Sequence, residues 1–412
     1  MVATEEIRIE KQTKKGWKIK ALKEIGKIVS GGTPSTTETS YFNGDIAWIT
    51  PADLTGYNHK FISRGSRNIT DEGLKKSSAK VLPKGSVLFS SRAPIGYVAI
   101  AANEIATNQG FKNLIPNEGI SSEYVYYYLK SAKQLAEKSA SGTTFKEISG
   151  TAFGELPIPI PELSEQNRIV EKIEELFSEL DYAITTLKTT QQQLQTYRQS
   201  VLKYLISDTN LKPIESIIET LDQGWSPKCE NESSVSNDEW AVIKTTAVQS
   251  GKFLEEENKI LPKNLKPRTQ HELETGDILI TRAGPRVRVG ICCMVRHVRP
   301  KLINCDKVYR MRVKQNIIMP EYFELVMNSP KFLDEIGQIK TGISDSGVNL
   351  TQKGFVQINI PVPSIVKQKQ IISEIETRLS ESDYLLQTIN EQLVKAERLR
   401  QSILQRAFSG EL

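Results

Sequence analysis

The second half of this chain repeats the first, and that repeat constrains the fold more than any single motif. Residues 153–161 read FGELPIPIP and residues 355–363 read FVQINIPVP, 202 positions later. The offset then continues without a gap through a long polar segment. Gln166 matches Gln368, Ile169 matches Ile371, Ile173 matches Ile375 and Asp181 matches Asp383. The run Arg198-Gln199-Ser200-Val201-Leu202 matches Arg400-Gln401-Ser402-Ile403-Leu404. Such repetition fixes architecture. The order is globular unit, long helix, globular unit, long helix, with expected boundaries at 1–161, 162–206, 207–363 and 364–412. A chain built this way suits a target with two parts.

The helical segments carry a seam. Between 162 and 206 there is no glycine and no proline, and Ile169, Ile173, Leu176, Leu180, Ala183, Leu187, Leu194, Tyr197 and Val201 recur at alternating steps of three and four, with Thr190 in the one weak slot. That is a coiled-coil pattern. The second segment offers Ile372, Ile375, Leu379, Ser382, Leu386, Ile389, Leu393, Ala396, Arg400 and Ile403, weaker at Ser382 and Arg400. Pro161 and Pro363 precede the helices, and Ser164 and Ser364 are the expected caps. A helix of about 45 residues is ~67 Å long. Neither helix buries its seam alone, so the expected arrangement is an antiparallel pair forming a rod with a globular head at each end.

Each globular unit reads as a mixed α/β (α+β) domain, mostly strand. Short β-like runs at 85–89, 276–280 and 308–313 are bounded by turns. Helical pieces are expected at 122–138 and 320–337. Residues 84–89 (KGSVLF) and 275–280 (TGDILI) occupy similar places, and each is followed by an arginine-bearing turn, SRAPIG at 91–96 and RAGPRVRVG at 282–290. Elsewhere the units diverge: 30–35 reads SGGTPS, whereas 224–227 reads GWSP. A shared framework with different surfaces points to two related modules that read two different targets.

Composition narrows the class. The chain of 412 residues is 38% hydrophobic and 25% charged, as expected of a soluble globular protein. No apolar run has the ~20 residues a membrane span needs. The charged N-terminus carries no secretory signal pattern, so a cytoplasmic location is the expectation. Cys229, Cys292, Cys293 and Cys305 form no CxxC pair, and with three histidines no metal site is expected. There is no phosphate-binding loop, dinucleotide fingerprint, GxSxG or nuclease-like acidic cluster, so no intrinsic catalysis is expected. The net charge of +5 is weak, but residues 282–312 hold nine Lys/Arg (Arg282, Arg286, Arg288, Arg296, Arg299, Lys301, Lys307, Arg310 and Arg312) against Asp306 alone. A one-sided basic stretch is the usual footprint for a polyanion.

These features resemble one family. Paired α/β units, each closed by an LPIPIP-type strand exit and a long helix opening SEQNRIVEKI, are similar to the specificity subunit of type I restriction-modification systems. The segments Gly32-Thr33-Pro34-Ser35 and Thr107-Asn108-Gln109-Gly110-Phe111, and the ending Ala407-Phe408-Ser409-Gly410-Glu411-Leu412, resemble that family too. The first helix departs from it, ending Tyr204-Leu205-Ile206-Ser207-Asp208 without the Ser-Gly-Glu-Leu of the second. The resemblance implies target recognition domains that each read one half of a split, asymmetric DNA site. It implies helices that set the spacing and dock methyltransferase subunits, two of them expected. Those subunits hold S-adenosylmethionine and methylate adenine at N6, so this chain carries no cofactor. A motor-nuclease subunit joins for cleavage.

Readers are expected among turn-borne polar and basic residues: Thr33, Ser35, Arg92, Asn108, Gln109 and Lys146 in the first unit, and Trp225, Arg282, Arg286, Arg288, Ser344, Asp345 and Asn349 in the second. Two other readings stay open: a two-headed protein scaffold that touches no nucleic acid, and a specificity subunit serving a type II-like fused nuclease-methyltransferase.

Overall fold

The structure, a computed structural model, describes residues 14–142, 146–206, 210–342 and 344–412. The charged first 13 residues, and Ser207 and Asp208 at the exit of the first helix, lie outside the described residues. Two compact units emerge: residues up to Leu187 with Glu391–Leu412, and Lys188–Asn390. Each therefore contains one α/β domain together with parts of both long helices.

In the first unit a five-stranded sheet has the spatial order Gly26–Ser30, Phe111–Pro116, Val87–Ser90, Val98–Ala101, Phe61–Ile62. Only the last pairing is parallel. The central run Val87-Leu88-Phe89 is apolar throughout because both faces are covered. Val87 and Phe89 join a cluster with the helices, while Leu88 joins a second cluster on the other face. Side chains alternate across a strand, so a strand buried on both faces needs a continuous apolar run. A smaller sheet places Phe42–Ile49 between Arg67–Ile69 (antiparallel) and Ala106–Thr107 (parallel).

The second unit reproduces the plan. Its four-stranded sheet runs Ile218–Gln223, Val308–Val313, Ile278–Thr281, Cys292–Met294, all antiparallel. Ile278 and Ile280 face one cluster and Leu279 the other. Its smaller sheet sets Ala241–Ile243 between Asn258–Ile260 (antiparallel) and Leu302–Ile303 (parallel). The strand exits also match: Pro157–Ile160 pairs antiparallel with Lys18–Ala21, and Asn359–Pro361 with Leu211–Pro213. The helical pieces are each broken in two, Ser122–Ser131 with Lys133–Lys138 and Pro320–Met327 with Pro330–Ile339.

The long helices span Leu163–Leu205 and Ile365–Ser409. Ser364 caps as expected, its Oγ accepting from the N–H of Lys367 at 3.4 Å. Ser164 does not cap. It already lies inside the helix, and the carbonyl of Glu162, the counterpart of Ser364, accepts from the N–H groups of Glu165 and Gln166. Gln166 and Gln368 are both buried and make the same three bonds. Gln166 Nε2 donates to the carbonyls of Gly119 and Pro161, and its Oε1 accepts from the N–H of Ser121. Gln368 Nε2 donates to the carbonyls of Ile317 and Pro363, and its Oε1 accepts from the N–H of Met319. Each glutamine thus fastens the start of a long helix to the loop ahead of a domain helix.

Within each unit the long helices run antiparallel, and ion pairs fix their register. Asp181 pairs with Arg400 in the first unit, and Asp383 with Arg198 in the second. These are the same two repeat positions with their roles exchanged. Of the seam residues, Ile169, Ile173, Leu180, Val201, Ile372, Ile375, Ile389, Ala396 and Ile403 are buried. Leu176, Leu187, Leu194, Leu379, Leu386 and Leu393 are half-buried. Ala183 and Tyr197 are exposed, and Arg400 lies 4.5 Å from the Phe177 ring rather than inside a seam.

Candidate nucleic-acid interface

In each unit the ends of the sheet strands project a cluster of four loops. In the first unit these are residues 31–35, 91–96, 108–110 and 141–142 with 146–147, the third segment leading into Phe111–Pro116. The N–H of Ser91 donates to Gly110 O (2.7 Å), and the N–H of Ile148 donates to Ser91 O (3.1 Å). In the second unit the N–H of Arg282 donates to Lys307 O (2.9 Å) and the N–H of Leu350 to Arg282 O (2.7 Å), so 282–290, 304–307 and 341–342 with 344–349 meet in the same way.

Glycine makes the fourth loop fit. A Cβ on Gly31 would stand 1.9 Å from the Asn108 carbonyl oxygen, and one on Gly224 would stand 2.0 Å from the Asn304 carbonyl oxygen. Only a residue without a side chain lets these backbones touch. The N–H of Gly32 then bonds Thr107 O at 2.9 Å, and that of Trp225 bonds Asn304 O at 2.9 Å. Trp48 Nε1 donates to Gly32 O at 3.0 Å and locks the first unit's turn.

All thirteen candidate readers lie on these loops. In the first unit Thr33 Oγ1 accepts from the N–H of Gln109 at 3.5 Å, and Asn108 Oδ1 accepts from the N–H of Gly110 at 2.9 Å. The side chains of Gln109 and Lys146 are exposed, and Ser35 Oγ bonds its neighbour Thr37. Arg92 meets Glu147 at 3.5 Å, which also receives Lys112 at 3.3 Å and Ser91 Oγ at 3.4 Å.

In the second unit several of the arginines are engaged internally. Arg288 donates to the carbonyls of Thr245 (3.0 Å) and Val248 (2.9 Å) and to Gln249 Oε1 (3.3 Å). Arg282 donates to Asp306 O at 2.9 Å and lies 5.6 Å from the Tyr309 ring. Trp225 lies beneath Arg268, 4.6 Å away. Arg286 Nε donates to Asp345 Oδ1 at 2.8 Å, and the arginine remains 41% exposed. Ser344 Oγ bonds Ser346, and Asn349 is held to Thr341 by two backbone bonds with its side chain exposed.

The basic stretch at 282–312 is one-sided in sequence and balanced in space. Arg286, Arg296, Lys301, Arg310 and Arg312 pair with Asp345, Glu324, Asp238, Asp222, and Glu274 with Asp277. Arg282, Arg288 and Arg299 donate to carbonyls, leaving Lys307 exposed. Burial holds the Arg299 guanidinium below its usual value, and burial with Arg286 nearby does the same to the Lys340 ammonium. Strand pairing recruits the acids from far along the chain, which a run of residues read in order does not reveal. Sequence reasoning missed Glu147, Lys112, Lys340 and Arg268. The repeat held the signal for the first, because Glu147 stands 202 positions before Asn349, itself a candidate reader.

The arrangement supplies donors, acceptors and cations on exposed loops above a rigid sheet. Among the described residues no three His, Cys, Asp or Glu side chains gather as they would around a metal ion. No described helix is long and apolar enough to cross a membrane.

A family model described as the type I restriction modification DNA specificity domain matches residues 14–196. The MjaIX specificity subunit of Methanocaldococcus jannaschii is 48% identical over 157 residues, 38% of this chain and 36% of that relative. The chain thus spans about a third of that relative's length. The EcoKI specificity subunit of Escherichia coli K12 is 25% identical over 428 aligned positions, covering 96% of this chain and 89% of the relative. A solved chain from work on complex assembly and conformational transition of the type I restriction-modification system has a TM-score of 0.75 at 17% identity, covering 97% of this chain and 99% of that one. The doubled α/β plan with antiparallel long helices, the family model matching residues 14–196 and the end-to-end relative agree: this chain is similar to the type I restriction-modification specificity subunits and shares their fold.

Proposed function

We propose that this chain is the non-catalytic, sequence-reading subunit of a DNA methyltransferase and endonuclease complex. One observation carries the reading: the two units keep the same loop scaffold, from the glycine contact to the paired backbone bonds, while the side chains displayed on it differ. Two scaffolds alike in backbone and unlike in surface suit two half-sites of one asymmetric DNA sequence. Base edges are read by polar and basic groups on such loops, and phosphates fix orientation. The recognition domains are 1–161 and 207–363, and the spacers are 162–206 and 364–412. Readers come from Thr33, Ser35, Arg92, Asn108, Gln109, Lys146, Trp225, Arg286, Ser344, Asp345 and Asn349, with Arg282 and Arg288 shaping their loop from within.

The partners are methyltransferase subunits, one per unit, carrying the S-adenosylmethionine that this chain has no motif to hold, with a motor-nuclease subunit for cleavage. The repeat supports two copies of one partner. Tyr182 and Tyr384 hold equivalent positions, beside Asp181 and Asp383, and are 78% and 72% exposed. Tyr197 and Leu399, also equivalent, are 43% and 51% exposed. A cytoplasmic location goes with this role.

The test is the methylation pattern of DNA from cells that express this chain with the methyltransferase subunit encoded beside it. The expected result is a split, asymmetric motif with N6-methyladenine in each half. An active complex that leaves no motif attributable to this chain defeats the reading and favours a protein scaffold.

A further inference from the structure

In both loop clusters an arginine on the loop after a central strand is held by a carboxylate on the loop opposite. Arg92 is held by Glu147, and Arg286 by Asp345. The four residues do not occupy the same repeat positions. The extended pairings join Arg92 to Glu147 and Ala283 to Asn349, so Arg286 and Asp345 lie further out on their loops. The same pair thus occurs on two surfaces that otherwise diverged. Stability does not account for it, because exposed ion pairs contribute only about 0–1 kcal/mol. Asp345 is 87% exposed and Arg286 41%, and Glu147 and Arg92 are 36% and 39% exposed.

We infer that Glu147 and Asp345 determine specificity by screening their arginines from phosphate while leaving them able to meet a base edge. The inference rests on the DNA-reading role proposed above. A phosphate drawn to Arg286 would come close to the Asp345 carboxylate and be repelled by it, and the same holds for Arg92 and Glu147. A guanine presents neutral acceptors, N7 and O6, to an arginine, and the paired cytosine presents an N4 amino donor that a carboxylate accepts. An arginine beside a carboxylate is therefore complementary to a G·C edge and not to the sugar-phosphate backbone. Beside the Ser91 hydroxyl on Glu147, the charged groups facing these pairs are cationic: Lys112, and Lys340, whose Nζ donates to the Arg286 carbonyl at 2.9 Å. Without the carboxylates each cluster would be a general polyanion site.

The experiment uses the full chain with its methyltransferase subunit and two labelled duplexes, one with the methylated motif and one with that motif scrambled, across a salt series. Asp345→Asn should raise affinity for the scrambled duplex about three- to tenfold and narrow the preference for the motif by at least that factor. The salt slope on the scrambled duplex should steepen by about one, the change for one added phosphate contact. Glu147→Gln should do the same, with a melting curve to separate any loss of folding from removal of Lys112's partner. Unchanged scrambled-duplex affinity in Asp345→Asn, or a matching fall on both duplexes, overturns the inference. If the parent complex itself does not prefer the motif, the DNA-reading role fails instead.

Discussion

The two units share a framework and differ in how their loop surfaces are occupied. In the first, Gln109 and Lys146 extend from the cluster, and Arg92 is held by one shared carboxylate. In the second, Arg282 and Arg288 are turned inward onto backbone carbonyls, and Trp225 lies under Arg268. What stays constant is what the backbone needs: the glycine against an asparagine carbonyl, the apolar central strand and the glutamine at the helix start. What varies is what a target would touch. A backbone contact at 2 Å from a virtual Cβ tolerates no side chain, whereas an exposed loop tolerates almost any, so a scaffold of this kind is free to change its target without changing its fold.

The largest test of that shared framework is the glutamine bracket. Gln166→Leu and Gln368→Leu each leave one N–H and two carbonyls without partners in a buried site, and each should cost its unit about 3 kcal/mol. Chemical denaturation followed by unit-specific hydrogen exchange checks this. If one variant costs less than about 0.5 kcal/mol, the two units are not held together by the same device.

Arg288 and Arg286 sharpen the contrast between inward and outward arginines. Arg288→Ala should cost about 1–3 kcal/mol of stability, since three acceptors lose their donor. Arg286→Ala should change stability by less than about 0.5 kcal/mol and weaken binding to the motif by ~1–3 kcal/mol. Reversed results in thermal melts and DNA titrations would mean that the surface, not the interior, uses Arg288.

Tyr182→Ala and Tyr384→Ala probe the repeated helix surface. Both side chains are exposed, so melting temperature should hold while the methyltransferase subunit is retained less well, each variant affecting one bound copy. Analytical ultracentrifugation of the mixed subunits would show the loss of a single copy. Retention of both copies in either variant would place the contact elsewhere.

The smallest effect is confined to the first unit. The Arg168 hydrogen bond, with help from Lys14, brings the Glu165 carboxyl down to about 2. Its folded value lies below its unfolded one, so the contribution is full above the ordinary carboxylate range and is lost as pH falls from about 4.5 toward 2. The side chain is half-buried at the surface, where solvent still screens the pair, so the effect should be slight. The equivalent position in the second unit is Lys367, so hydrogen exchange at low pH should show acid loosening around Glu165 that Glu165→Gln removes, with no counterpart there.

The repeat was readable because it is a pattern along the chain. An apolar run marks a strand buried on both faces, a seam marks a helix that packs, and an offset without gaps marks two such units. Ser164 misled because a cap depends on where helical dihedrals begin, which the preceding proline and Glu162 decide. The loop residues were found on turn chemistry alone, but nothing local tells Arg286 from Arg288. The difference is whether a carbonyl or open solvent stands opposite the guanidinium.

The sequence by itself determined the doubled order of units, the strand exits and long helices, because these follow from periodicity and repetition among neighbours in the chain. Only the tertiary structure decided which charges remain available. Asp222, Glu274 and Glu324 reach Arg310, Arg312 and Arg296 across strand and helix contacts, turning a basic stretch into a balanced surface. Charge acts through distance in space, and a folded chain sets that distance independently of separation along it.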